Sequence, residues 1–486
     1  MKSLLRTLAP LLALALALPA VAEVDLPALG EPANQALSPR QEAAIGRQLM
    51  TQARQRLDLN RDPEIAQYID GLGQRLASYS EPRPIDGYTF FVVRAPTINA
   101  FAGPGGYIGV HSGLVTAATT EAQLAGVLAH EIAHVSQRHI ARSIARSERS
   151  NYTTLAAVLA GLIIGSQNPQ AGQAAITGGI AAGQQQRINY TRSNEYEADR
   201  IGIALLARAD FDPGGMTRFF ETLMRASGPG GSQVPEFLRT HPLSETRLSE
   251  AASRAAGLAR PEQRRDSLEF QLIKARMQAL YDSQPGVLHD RWTRSERSEG
   301  DVATARQYGL AVLERRLDRH AAARERLEPL FAAAPSNLHY GLELARVEQA
   351  AGRGEKALDT WEEVRTFHPA SYPTVAVGSD LLIANDRADR AVALVTEYLR
   401  GDAPAPPDAW RQLAQAAEAA GRPVRSHEAL GEYYVRVGRL GQALTQFELA
   451  LEQARPDTPE QLRLEARTEQ VRELRREQLA RNPLGG

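Results

Sequence analysis

Two histidines four residues apart with a glutamate between them, His130-Glu131-Ile132-Ala133-His134, could bind a metal ion and activate water. At about 100° per residue, helical positions four apart lie about 40° from one another and one turn along the same face, so both imidazoles reach one ion. Glu131, beside them, is placed to take a proton from a water at that ion. The triplet arises by chance in roughly one chain in a hundred of this length. Its apolar neighbours Leu128, Ala129, Ile132, Ala133 and Val135 make the segment a buried helix, where ionisable side chains are seldom idle.

Two histidines do not complete a metal site. The chain has no cysteine, so any metal must use His and carboxylate ligands. His139 is nine residues past His130, which on a continuous helix turns it about 180° away and makes it a surface residue or an outer contact of the site. The extended zinc pattern with a glycine and a third His is absent, because Gln137 stands where that glycine would be. A distant carboxylate is therefore required. Asn194-Glu195-Tyr196-Glu197-Ala198-Asp199-Arg200 leads into an apolar-periodic run (Ile201, Ile203, Ala204, Leu205, Leu206), which places its acids near a buried helix face. Glu195 and Asp199 are four apart and project together. This suits Glu195 as the third ligand and Asp199 as the acceptor that orients a ligand imidazole.

The elements that must hold these groups can be read from periodicity. Gln41 to Leu57 and Pro63 to Tyr79 have helical spacing, and a third helix is expected from Thr120-Glu121 to about Ser147. Tyr88 to Val93 and Tyr107 to His111, the latter after the turn Gly103-Pro104-Gly105-Gly106, read as strands that pair in a small sheet. Thr153 to Gly183 is Ala-, Gly-, Ile- and Gln-rich without charge, and is either a glycine-rich connection or buried hairpin, or a lid or lipid-touching surface. From about Ala303 the chain becomes Ala-, Leu- and Arg-rich, with Ala323, Ala357 and Ala391 at 34-residue intervals and Pro335 and Pro369 also 34 apart. That is the tetratricopeptide period, with Gly352-Arg353 and Gly438-Arg439 at tight helix-helix turns. Gly421 breaks the strict spacing, so irregular last repeats are expected. Such arrays form a solenoid that binds protein segments.

At 486 residues, with 43% hydrophobic and 23% charged residues, the chain has ordinary globular composition and room for several packing units. Fifty-six Lys and Arg against 57 Asp and Glu leave a net charge of -1, so nothing favours nucleic acid. Met1 to Ala22 has a basic start, an apolar core from Leu8 to Leu18 and small residues before a cleavage point after Ala22, the pattern of a secretory signal peptide. The rival, an uncleaved anchor, would need about 20 apolar residues. The organisation expected is a signal peptide at 1–22, a metalloprotease domain at 23–285, a linker at 286–302 and a repeat domain at 303–486.

HEIAH at 130–134 followed about sixty residues later by EYEAD at 195–199 resembles the M48 metallopeptidases. NAFAGPGGYIGVHSG at 99–113 and HPLSETR at 241–247 are similar to that family's other signature segments. The resemblance implies an α+β chain: a mainly helical, gluzincin-like domain with a small β-sheet, followed by an α-solenoid of repeats. It implies one Zn2+ per subunit on His130, His134 and Glu195, with Glu131 as the general base. It maps a substrate-binding edge strand onto Asn99 and Ala100 and the strand after Gly105-Gly106. His241 then either takes the fourth coordination position at rest or hydrogen-bonds the oxyanion, and Arg247 either holds His241 or binds a substrate carboxylate. With a leader and C-terminal repeats, the chain is similar to periplasmic members of that family. The similarity implies unfolded or misassembled outer-membrane proteins as substrates, which it degrades when misfolded or stalled, an assembly-promoting or chaperone role, the outer-membrane barrel assembly machinery as a partner of the repeats, and peripheral membrane contact. The alternative is a chaperone or adaptor scaffold in which proteolysis is secondary.

Overall fold

The computed structural model describes residues 37–146, 184–227, 235–294, 299–401 and 404–481. The expected signal peptide and the Gly/Ala-rich stretch from Thr153 to Gly183 lie outside the described residues. The first helix, α1 (Pro39–Arg56), begins at a capping box in which Ser38 and Gln41 satisfy each other's backbone N–H. Asp62 caps α2 (Pro63–Ala77), with Pro63 in the first turn where a missing N–H is harmless. Then come β1 (Thr89–Val93), β2 (Ala100–Ala102), a 3-10 turn at Pro104–Gly106 and β3 (Tyr107–His111), followed by α3 (Ser112–Ala117) and α4 (Glu121–Ser136). After them run α5 (His139–Arg146), α6 (Gln184–Arg208), α7 (Gly214–Ser227), α8 (Glu236–Thr240), α9 (Glu245–Leu258) and α10 (Leu268–Tyr281). No described helix is long and apolar enough to cross a membrane.

The two expected strands do pair, β1 with β3, in parallel, with Phe91 opposite Gly109. A third strand, β2, runs antiparallel to β3 with Phe101 opposite Gly109, giving the order β1-β3-β2. β1 and β2 are therefore the outer strands, and β1 is partly covered by the bridge of Leu59 to Val93, which leaves β2 as the open edge among the described residues. The strand after Gly105-Gly106 is β3, the central strand, and because both its sides are taken it cannot accept a further strand as expected. Asn99 O accepts from His111 N (3.0 Å) and Gly103 N donates to Tyr107 O (2.7 Å). Alternation then turns the backbone groups of Ala100 and Ala102 toward the open edge. Asn99, expected with Ala100 at that edge, instead faces β3 with its carbonyl.

Two cores share one helix. Phe270, Ile273 and Met277 of α10 pack into the core of the sheet, α2, α4, α6 and α7, while Leu272, Ala275 and Ala279 pack into the core of the repeats. The expected linker at 286–302 is corrected accordingly. Its first part is helical, α11 (Pro285–Arg294), and buries Leu288 in the second core. Because α10 carries two apolar faces, the units meet through a shared helix.

The repeat helices are α12 (Gly300–Arg316), α13 (His320–Ala333), α14 (Leu338–Ala350), α15 (Gly354–Phe367), α16 (Tyr372–Ala384), α17 (Ala388–Arg400), α18 (Pro407–Ala419), α19 (Pro423–Arg436), α20 (Leu440–Gln453) and α21 (Pro459–Arg481). Ala323, Ala357 and Ala391 are fully buried where paired helices cross. Left-handed residues at Asp318, Gly352, Asp386, Gly421 and Gly438 reverse the chain, each followed by an Arg. That Arg donates its N–H to the carbonyl five residues back, as Arg353 does to Glu348 O at 2.9 Å and Arg387 to Leu382 O at 2.8 Å, the hydrogen bond of a Schellman closure. Gly421 sits in the same kind of turn as the others, and the irregularity falls after it, where the next turn comes at Gly438.

The repeats lie against the first domain. Arg276 of α10 is buried between Asp62 (2.6 Å), Glu64 (3.2 Å) and Glu343 (2.8 Å), with Tyr308 Oη at 3.0 Å. Arg346 and His339 of α14 each reach Glu64 at 2.6 Å, and Arg315 of α12 reaches Glu343. Farther along, Thr51 Oγ1 of α1 donates to Val437 O at 3.3 Å. Burial alone would raise both glutamates. Arg276, Arg346 and His339 instead hold Glu64 at about 2, and Arg315, Arg276 and Arg346 do the same for Glu343. Since both start from 4.5 in the open chain, the unfolded state binds more protons between these values, and stability falls as pH drops from about 4.5 to about 2. We predict that Glu64→Gln combined with Glu343→Gln flattens this acid limb in denaturant titrations. Arg276→Leu, which leaves the acids uncompensated, costs about 3–5 kcal/mol at neutral pH; a loss under about 1 kcal/mol would contradict the network's role.

Candidate metal centre

Three separated segments supply the site. α4 carries His130, Glu131 and His134 through the middle of the core, and α6 crosses it with Glu195 and Asp199. The crossing is close because Gly202 faces α4. A Cβ there would lie 3.1 Å from His130 N and 2.7 Å from Met216 Cε, so a larger residue would push α6 and its carboxylates away. The third segment is the turn after α8. His241 N donates to Phe237 O at 2.8 Å, and its ring stacks on Phe237 with centroids 4.5 Å apart. Arg247 at the start of α9 closes this turn by donating to Pro242 O at 3.0 Å.

One ligand atom each from His130, His134, Glu195 and His241 converges, all within 4.8 Å of one another. His130 Nε2 is 3.0 Å from His134 Nε2, 3.3 Å from His241 Nδ1 and 3.4 Å from Glu195 Oε2. Glu195 lies 3.4 Å from His134 Nε2 and 3.1 Å from His241 Nδ1. A tetrahedral zinc ion with bonds of about 2.0–2.1 Å has ligand atoms roughly 3.3 Å apart. The donor set, three imidazoles and one carboxylate, and its spacing therefore fit such an ion.

The surroundings fix these groups. His130 Nδ1 lies 3.0 Å from Asp199 Oδ1, on the side of the ring away from the cluster. Asp199 is held by Arg247 through Nε and through Nη2 at 2.8 Å, and Arg247 Nη1 also lies 2.9 Å from Glu195 Oε2. Burial would lower His130, but Asp199 and Glu195 hold it up at about 9. His134 has no such direct carboxylate behind it, and burial pushes it down to about 3. Despite its burial, Glu195 lies well below the usual carboxylate range because His241, His134 and His130 surround it. Glu131 goes the other way. Burial raises it, and its Oε1, 3.4 Å from His241 Nε2, has no hydrogen-bond partner.

The structure thus brings together His130, His134, Glu195 and His241, with Glu131 and Asp199 touching them. Arg247 is 2% exposed, with its guanidinium against Asp199, Glu195 and the Pro242 carbonyl. Of its two expected roles the placement favours holding the His241 turn. His139 is a second departure. The helix expected to run to Ser147 breaks after Ser136, because Arg138 takes a left-handed conformation (φ 51°) and α5 starts afresh. His139 is folded back and buried, its Nδ1 2.8 Å from His134 Nδ1. No glycine or proline announced the break; the only signal was Arg138 itself, which bonds Glu42 at 2.7 Å and the Leu37 carbonyl.

Comparison with known proteins agrees with this geometry. Residues 62–255 match the sequence profile described as peptidase family M48. The β-barrel assembly-enhancing protease of Escherichia coli (strain K12) is 34% identical over 97% of both chains. The protein of the same name from Yersinia pestis is 32% identical over 92% of both. A thermophilic tetratricopeptide protein of Thermus thermophilus aligns at 20% identity with a TM-score of 0.23, covering 42% of this chain and 98% of that one. That score is too low to assign a fold, and the repeats are identified by their own turns.

Burial of the Glu131 carboxylate, one of whose oxygens has no hydrogen-bond partner, outweighs the Ala102 backbone and the nearby imidazoles and destabilises its charged form. Glu131→Gln is therefore expected to stabilise the metal-free protein by about 0.5–2 kcal/mol in urea titrations at neutral pH. An unchanged or lower unfolding midpoint would show that Glu131 is better accommodated than its surroundings indicate.

Proposed function

The chain belongs to peptidase family M48 and is a metallopeptidase, and from that premise we propose that it is a zinc-dependent endopeptidase holding one ion on His130, His134 and Glu195. The convergence of four ligand atoms beside Glu131, whose Oε1 has no hydrogen-bond partner, carries this reading. A zinc ion there supplies Lewis-acid polarisation of water and of the scissile carbonyl. The chain's own residues do the rest. Glu131 takes the proton of the attacking water and passes it to the leaving amine, a task for which its raised proton affinity suits it. The open edge of β2, with the backbone groups of Ala100 and Ala102, aligns an extended peptide as an added strand. Asp199 orients His130, and Arg247 keeps Asp199 and Glu195 in place. His241, whose Nδ1 lies among the ligand atoms, would complete the donor set at rest and give way when substrate arrives.

The named relatives are proteases that enhance β-barrel assembly. By analogy the substrates are unfolded or misassembled outer-membrane proteins in the periplasm, degraded when misfolded or stalled, and the repeats recruit the barrel assembly machinery. The long array packed on the protease domain supports the second reading as well, a chaperone or adaptor with secondary proteolysis.

Metal analysis of the purified protein is expected to give about one zinc per chain, lost in Glu195→Gln and kept in Glu131→Gln. Cleavage of an unfolded outer-membrane protein is expected to fall about 10²- to 10⁴-fold in Glu131→Gln. If that variant still restores outer-membrane assembly in cells, the adaptor reading prevails. His241→Ala is expected to keep the metal and to cleave faster than the parent; slower cleavage would instead make His241 an active participant.

A further inference from the structure

Resting on the metal reading above, the hydrogen bonds behind His134 acquire a direction. If His134 gives Nε2 to the ion, the proton of its neutral ring is on Nδ1. The neighbour of that nitrogen is His139 Nδ1 at 2.8 Å. One of the two must donate, and it is His134, so His139 Nδ1 accepts and carries its own proton on Nε2. That nitrogen lies 3.2 Å from Glu197 Oε2, an acceptor also held by Arg142 Nη1 at 2.9 Å. The series therefore runs one way, from His134 through His139 to Glu197.

We propose that His139 is a positioning residue of the metal centre, an imidazole that fixes the tautomer and ring orientation of His134 as Asp199 does for His130. The two ligands would otherwise be unequal. His130 has a carboxylate at 3.0 Å, whereas His134 reaches Glu197 only through the intervening ring. A histidine five residues past His134 can stand behind it because Arg138 reverses the chain in a left-handed conformation that non-glycine residues seldom adopt. Arg138 is kept there by Glu42 of α1 at 2.7 Å. Ser143 Oγ of α5 donates to His139 O at 2.7 Å and ties the new helix to this residue.

The test measures zinc affinity by competition with a chromophoric chelator, and the visible spectrum of the cobalt-substituted protein, for the full chain and its variants. Removing an outer partner of a ligand imidazole typically costs about 10- to 100-fold in metal affinity. His139→Leu is expected to lose about that much and to shift the cobalt bands. His139→Asn, whose amide oxygen can reoccupy the acceptor position, is expected to recover most of the affinity and the parental spectrum. Recovery separates positioning from packing, since a merely structural role would not follow the acceptor. Should His139→Leu fail to fold, Glu197→Ala, which leaves the ring in place, is expected to weaken zinc to a smaller degree. Parental affinity and spectrum in His139→Leu, or an Asn variant no better than Leu, would overturn the proposal. Absence of zinc from the unaltered protein would overturn the metal reading itself, and this role with it.

Discussion

The constraint on which the first domain depends is a set of four ligand atoms held in a buried site with nearest neighbours 3.0 to 3.4 Å apart. Three imidazole nitrogens and a carboxylate meet from positions up to 111 residues apart. Their proton affinities are set unevenly: His130 is held at about 9 by two acids, and His134 is driven to about 3 by burial. A divalent ion held by these residues would offset this mismatch, since metal binding takes the place of the ligands' protons. The outer groups, Asp199 with Arg247 and His139 with Glu197, then have a common purpose, to keep each ring facing the centre.

The scaffold meets the requirement through close approach. Gly202 lets α6 lie directly on the backbone of His130, which brings Glu195 and Asp199 within reach of α4. The same economy of space recurs at the sheet, where a Cβ on Gly46 of α1 would clash with Pro104 O in the turn that leads into β3. α1 therefore touches the turn beside the edge strand on one side and Val437 of the repeats on the other. The ion network around Arg276 fastens the array to α2, on elements that do not carry the ligands. Sequestered charge at this junction gives it a defined orientation and a dependence on carboxylate ionisation, while the metal ligands remain outside the network.

The candidate site residues were legible because helical periodicity is local. His130, Glu131, His134, Glu195 and Asp199 could be assigned to buried faces from their apolar neighbours alone. The 34-residue period likewise marked the repeats, though Asp318 and Asp386 took the left-handed turn positions that only glycines announced in sequence. What escaped depended on tertiary contacts. β2 has three residues, too few for an alternation to register, so only the family resemblance pointed to a strand at Ala100. The two faces of α10 give no composition shift, so the sequence held no sign that one helix serves both cores. His139 was turned the wrong way because the reading extended one helix through Arg138, whose conformation depends on a contact with Glu42, 96 residues earlier in the chain.

The geometry also bears on which polypeptides the proposed protease would accept. An open strand edge offers backbone N–H and C=O groups and so binds another backbone whose own groups are unpaired. Strands already closed into a barrel have no such groups to offer, whereas a chain that has not completed its sheet does. With Ala100 and Ala102 at the edge, little side-chain bulk is available to discriminate sequence, so selection falls on conformation. The resting position proposed for His241 adds a second condition. A peptide must gain enough from pairing along β2 to compensate for moving a ring that is stacked on Phe237 and packed against Glu195. A short or folded segment gains too little, and a long extended one gains more with each added pair. An edge of this kind would favour unfinished strands over finished ones.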